Sequence, residues 1–418
     1  LNMRGDVRIT GNSSSNGGGG LGISDSTDNE INLKGKIFIS NNEGYGPNVY
    51  FRSKTHPYSG ARELSKLTLK EKLAEGSFIG LSVDYDIEGT SNALTSGYKK
   101  HYGKADPTLY FGGDNETTVQ TNSDGEIVLH VSAWPTLQKL INEAANNDEP
   151  LILEKNWKSS KYDPPLTIPA GKTLNLDLNG HTLDRKLSSE DPRDDGEIFN
   201  VENGRTLIID DSTMKKTGKL IGANGKNGGA ISVKEGGELE LRGGNLTANK
   251  AEKGGAVYNE GTVTISGEDA VNAALYGNTA KQGGGIYNAG TLTVNCDAIR
   301  GNTANVGGGV YNAAGTLNLS GAISGNETDE SAGGVYLADG SAFNVSGAAS
   351  VRDNISAAGN NLFIAGGDTV VNITDELADG TSFDVVAQNP NPKNDRKLTE
   401  GWNANKGGCE FSYRRKGI

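Results

Sequence analysis

A Gly-rich phrase returns along the chain and limits what it can fold into. It reads Gly254-Gly255-Ala256-Val257-Tyr258-Asn259, then Gly283-Gly284-Gly285-Ile286-Tyr287-Asn288, then Gly307-Gly308-Gly309-Val310-Tyr311-Asn312. Looser copies are Gly228-Gly229-Ala230-Ile231, Gly333-Gly334-Val335-Tyr336 and Asn361-Leu362-Phe363. Their apolar anchors, Ile231, Val257, Ile286, Val310, Val335 and Leu362, are separated by 26, 29, 24, 25 and 27 residues. Two further phrases travel with the first. One alternates apolar residues with Thr or Asn, as in Thr262-Val263-Thr264-Ile265 and Thr291-Leu292-Thr293-Val294, with earlier copies at Thr173–Leu176 and Thr206–Ile209. That period of two belongs to a strand with one buried face. The other sets an Asn three residues after an apolar one, at Leu246–Asn249, Leu275–Asn278, Ile299–Asn302, Ile323–Asn326 and Val351–Asn354.

Each unit therefore predicts three short strands parted by Gly- or Asn-bearing turns. The unit is too short for a propeller blade and lacks the helices of ankyrin or tetratricopeptide repeats. It fits one coil of an all-β parallel β-helix, a solenoid of about 25 residues per coil. One coil cannot bury its inner face alone, whereas stacked coils share a continuous core.

The recurring residues then acquire positions. Asn249, Asn278, Asn302, Asn326 and Asn354 are expected to form a structural ladder, each amide bonding its neighbours above and below. Asn also tolerates the left-handed backbone of tight turns. If the Val and Ile anchors point inward, alternation sends Tyr258, Tyr287, Tyr311 and Tyr336 outward in one column, extended by Phe363. Three arrangements stay open. The rings can stack and shield the sheet, form a contact stripe for glycans or proteins, or occupy the core in the opposite register.

A duplication divides the chain. Leu69–Ser77 matches Ile373–Thr381, and Leu94–Tyr98 matches Leu398–Trp402, both at an offset of 304 residues without a gap. An open strand edge invites aggregation, which a closing segment prevents. The expected organisation is the C-terminal coils of a first β-helix at 1–55 and a terminal cap at 56–130. A capping helix and entry follow at 131–150, a second β-helix at 151–364, and a shorter copy of the cap at 365–418. In the helix, Leu137, Leu140, Ile141 and Ala144 share one face. The first residue is Leu1 and no signal segment follows, so the chain reads as part of a longer polypeptide.

Composition narrows the function. The net charge of −12 disfavours nucleic acid and anionic membranes as partners. No apolar run is long enough for a membrane helix. Cys296 and Cys409 are too few for a disulfide scaffold or a cysteine zinc cluster. His56, His101, His130 and His181 define no metal spacing, and phosphate-loop and dinucleotide patterns are absent, so no metal or cofactor is expected.

The stretch Leu174-Asn175-Leu176-Asp177-Leu178-Asn179-Gly180-His181-Thr182-Leu183 resembles the start of pectate-lyase-like right-handed β-helices. The Gly-Gly-Gly-Ile-Tyr-Asn coils are similar to those of large secreted or surface-anchored bacterial repeat proteins, including adhesins, and the paired endings resemble β-helix modules of Gram-positive gut bacteria. The resemblance implies a right-handed helix in two arrays and an extracellular or cell-surface location. Enzymes of this kind would need clustered carboxylates for Ca²⁺ beside a basic residue, or two or three carboxylates facing one groove. The candidates are Asp191, Arg193, Asp194, Asp195, Asp210 and Asp211, which read as solvated turns. The expected function is a non-enzymatic adhesin or stalk module, with a glycan or host surface protein as partner. The alternative is a polysaccharide lyase or glycoside hydrolase on the same fold. Three or more charged side chains brought together from adjacent coils would favour the enzyme.

Overall fold

A computed structural model describes the chain except residues 16–17, 24–29, 45–46, 53, 56–61, 64, 84–92, 114–116, 132, 147–148, 161–162, 189, 268–272, 358–360, 366–368, 380, 388–397, 403–409 and 416–418. His56 and Cys409 lie outside the described residues. The chain is a parallel β-solenoid of about 12 turns, with about 28 residues per turn and few helices. It divides into two compact units, Leu1–Thr136 and Leu137–Ile418.

In the second unit a coil holds four short strands, not the three expected. The coil from Ile286 runs through Ile286–Asn288, Thr291–Val294, Ile299–Arg300 and Thr303–Val306. The fourth strand escapes the periodicity because one small residue per coil faces inward there: Ala251, Ala280, Ala304 and Thr328 are buried between exposed or half-buried neighbours. Equivalent strands pair in register from coil to coil, so Val257, Ile286, Val310 and Val335 form one buried column. The alternating strands form a ten-stranded sheet whose Val263, Leu292, Leu317 and Phe343 make another. Glycine is obligatory between coils. A Cβ on Gly308 would lie 2.5 Å from the Gly333 carbonyl oxygen and 2.6 Å from that of Glu327.

The helix Trp134–Glu143 brings Gln138 to the first coil of this unit. Gln138 donates through Nε2 to the Thr167 carbonyl and accepts from the Thr167 N–H, both at 2.8 Å. Leu137 and Ile141 are fully buried, but Leu140 is 37% exposed, so the apolar face is narrower than its sequence spacing suggests. Gln138 reaches the strand edge, and polar pairing of backbone groups takes the place of a fourth apolar contact. The polar loop before Gly196 also protects an edge: Arg193 bridges Gly225, beside the first strand of the six-stranded sheet.

The closing segments share their pairing. Thr95 and Ser96 lie opposite Leu67 and Thr68, and 304 residues later Thr399 and Glu400 lie opposite Val371 and Asn372. Leu81 pairs with Val49 as Val385 pairs with Leu362. Ala74 N–H donates to the Gly35 carbonyl at 2.9 Å, and Ala378 to that of Gly347 at 2.7 Å. Gly97 and Gly401 both hold positive φ, at 96° and 77°. The first copy continues into a hairpin, Thr117–Thr121 with Ile127–Val131. There the Glu126 carboxylate accepts from Thr95 Oγ1 at 2.9 Å, Gly97 N at 3.1 Å and Tyr98 N at 2.9 Å.

Candidate functional site

The Asn residues singled out by sequence form one continuous ladder. Asn249, Asn278, Asn302 and Asn326 each donate Nδ2 to Oδ1 of the next, as far as Asn354, at 2.9–3.1 Å. Each backbone N–H donates to the same oxygen. Nδ2 also reaches the carbonyl of an apolar residue one coil back, as Asn302 does to Leu275 at 2.8 Å. The left-handed residue in these turns is the one before the Asn: Ala248, Gly277, Gly301, Gly325 and Asp353 all have positive φ. The ladder Asn is therefore chosen for its amide and not for backbone tolerance. The ladder ends on Asn361, which accepts from Asn354 Nδ2 at 3.0 Å. In the first unit Asn12, Asn42 and Asn48 repeat this ending.

Two further ladders went unrecognised in the sequence. Buried Asn259, Asn288 and Asn312 are linked by 2.7 Å amide bonds. Asn372, Asn344 and Asn318 are linked on the outer face of the ten-stranded sheet. The Tyr-Asn ending of the Gly-rich phrase carried the signal for the first of these.

The tyrosines point away from the buried Val and Ile anchors, in one column. Successive ring centroids, from Tyr258 through Tyr287, Tyr311 and Tyr336 to Phe363, lie 5.3, 5.3, 4.7 and 5.4 Å apart. The planes are within 15° of parallel. Each inner ring thus gives both faces to its neighbours, and the half-burial of Tyr287, Tyr311 and Tyr336 leaves ring edges to solvent. At one end Ser232 stands beside Tyr258, with Lys234 Nζ 5.3 Å from the ring centroid. At the other, Val386 stands beside Phe363. Tyr258 donates its hydroxyl to Glu260 at 2.8 Å. Burial, then that bond, holds the Tyr258 phenol well above its usual range, and burial raises Tyr311 and Tyr336 as well.

The carboxylates considered for catalysis hold turns together. Asp211 is fully buried and accepts from Gly180 N, Thr213 N, Thr213 Oγ1 and Gly218 N at 2.6–3.1 Å. Asp195 takes a two-pronged bond from Arg193 at 2.8 and 2.9 Å, Asp194 meets Lys226 at 3.0 Å, and Asp210 lies 3.8 Å from Lys216.

One charged cluster does draw on adjacent coils, at residues the sequence did not mark. Arg185 is fully buried, and its guanidinium donates to the carbonyls of Ser160, Asp163, Asp195 and Glu197 and to Ser159 Oγ. Asp163 and Glu197 are buried beside it. Burial lowers the Arg185 pKa to about 10, against the nearby Asp163 charge. Burial raises that of Glu197 to about 7, although its own backbone N–H, Lys234 and Arg185 pull it down. A lone Arg between two strands carried no sequence pattern that could have revealed this.

Among the described residues no group of three or more His, Cys, Asp or Glu could hold a metal ion. No helix there is long and apolar enough to cross a membrane. Comparison with protein-family models, curated proteins and solved structures finds no match.

Proposed function

We propose that this chain is a non-enzymatic β-solenoid module, acting as a stalk or adhesin-type segment of a larger bacterial cell-surface or secreted protein. The observation that carries the reading is the use made of its acidic side chains: Asp211, Asp195 and Asp194 are spent on backbone N–H groups and paired cations. Continuous Asn ladders and a closing segment present in both units suit a rigid spacer, because each coil is tied to the next. The Tyr column fits the same use, with its ring faces turned to one another.

A carbohydrate-active enzyme is the second reading. It draws on Glu197, whose pKa near 7 suits a general acid beside Arg185. Against it, Glu197 is only 5% exposed and the Arg185 guanidinium is engaged by backbone carbonyls. Incubation of the chain with polygalacturonate and calcium, and with neutral glycans, decides between them. Unchanged substrates are expected. New reducing ends or unsaturated products that disappear in Glu197→Gln would overturn the reading.

A further inference from the structure

The outer faces of the sheets differ in charge. The six-stranded sheet turns Lys250, Glu252, Lys281 and Glu327 outward. The eighteen-stranded sheet shows Arg300, 5.9 Å from the Tyr276 ring centroid, and Arg352, paired with Asp353. The ten-stranded sheet differs in its middle, between Glu238 and Glu240 on one side and Glu400 on the other. Across Thr262–Ile265, Thr291–Val294, Thr316–Leu319, Ala342–Gly347 and the start of Val371–Leu377, its outward side chains carry hydroxyl, amide or methyl groups and no charge. Five coils of uncharged surface stand out in a chain with a net charge of −12.

This face is also ordered. Asn372 donates to Asn344 at 3.0 Å, Asn344 to Asn318 at 2.8 Å, and Asn318 to Thr293 Oγ1 at 3.3 Å. The chain of amide bonds fixes these side chains before anything arrives, which reduces the ordering cost of binding. The register is unshifted from Thr262 through Thr291 and Thr316 to Ala342, so like groups repeat once per coil.

The geometry points to a binding face for an extended, neutral, β-linked polysaccharide that runs along the solenoid axis across these strands. The inference rests on the adhesin form of the proposed function. Three arguments select the occupant. A face without charge gives a polyanion no attraction, while the acidic remainder of the molecule repels one. The face is about 19 Å long over four strand spacings and about 15 Å wide, roughly 300 Å², far below the ~800 Å² per partner of a stable protein interface. A second copy of the chain is therefore too large an occupant, and a narrow polymer fits. Finally, the rise per coil is close to the rise per sugar of an extended β-linked chain, so a two-fold ribbon stays in step with the coils and every second sugar turns the same hydroxyls to the columns of Thr and Asn groups.

The test uses the full chain with six-unit β-linked glucan, xylan and mannan oligosaccharides, and with polygalacturonate and a neutral Gly-Ser peptide as comparators, read by calorimetry. The blocking variant is Thr264→Glu with Thr293→Lys, an opposite-charge pair on adjacent strands that keeps net charge and supports the sheet. Asn305→Lys, on the six-stranded sheet, is the control charge. Circular dichroism checks that each variant is folded. The expected result is binding of a neutral oligosaccharide, lost in the paired variant and kept in Asn305→Lys and Tyr287→Ala. Binding that survives the paired variant but is lost in Tyr287→Ala overturns this face and leaves the adhesin reading standing. No neutral oligosaccharide bound, or preference for the peptide or polygalacturonate, overturns the inference and leaves the stalk. Cleavage of the oligosaccharides would instead overturn the non-enzymatic reading.

Discussion

Asn302 gives both its backbone N–H and its side-chain Nδ2 to the same atom, Oδ1 of Asn326 one coil onward, each at 3.0 Å. Asn302 and Asn326 are both fully buried. One amide thus replaces the water that two donors would otherwise need.

Removing that amide strands its partners. Asn302→Ala takes the Oδ1 acceptor from the Asn278 N–H and Nδ2 and the side-chain donor from the Leu275 carbonyl. The expected loss is about 1–3 kcal/mol, the cost of leaving buried polar groups unsatisfied. Denaturant unfolding measures it. The half-buried Asn354 should cost less on the same substitution, since water can reach its partners.

Tyr287 sits between two rings, at 5.3 Å from both Tyr258 and Tyr311. Tyr287→Ala breaks two stacked pairs, each worth about 0.5–1.5 kcal/mol beyond area burial, so a loss of about 1–3 kcal/mol is expected with the fold retained. Tyr287→Phe should preserve the stack and stay close to the parent. An equal loss in both variants, measured by thermal melting, would move the stabilisation from the ring to the hydroxyl.

The repeat was legible because a solenoid writes its core once per coil: Val257, Ile286, Val310 and Val335 are spaced by the same coil that stacks them. The ladder Asn was legible for the same reason. What escaped was whatever the coil does once or weakly. The strand Thr303–Val306 buries only Ala304 and so shows no alternation. Asn361 ends the ladder from a different phrase of the sequence. Arg185 acts alone, with partners set by where two loops meet and not by spacing.

Arg185 is the position where a single change should cost most. Its five acceptors are buried or nearly so, and methionine can fill the volume without serving them. Arg185→Met is expected to destabilise the second unit by about 3–5 kcal/mol, because Asp163 and Glu197 lose their buried counter-charge. Arg185→Lys should recover little, since one ammonium cannot reproduce the planar fork. Near-parental stability in the Lys variant, by denaturant unfolding, would show that charge alone suffices there.

Glu197 gives the molecule a pH dependence with a definite sign. Burial raises its pKa from the ordinary 4.5 to about 7, with Lys234 and Arg185 pulling it down and Asp195 pushing it up. A folded-state pKa above the unfolded one means that folding favours the protonated acid. The stabilisation is complete below about pH 4.5 and fades as pH rises through 7. Above that pH the buried carboxylate costs on the order of 3 kcal/mol, from 1.36 kcal/mol per pKa unit. Glu197→Gln keeps the shape and removes the titration. The variant is expected to be more stable than the parent at pH 8, by about 1–3 kcal/mol, and to lose that advantage at pH 5. Thermal melting of both chains at the two pH values checks the sign. A parent that gains stability relative to Glu197→Gln on going from pH 5 to pH 8 would mean that Arg185 and Lys234 outweigh burial, and that Glu197 works as a buried anion.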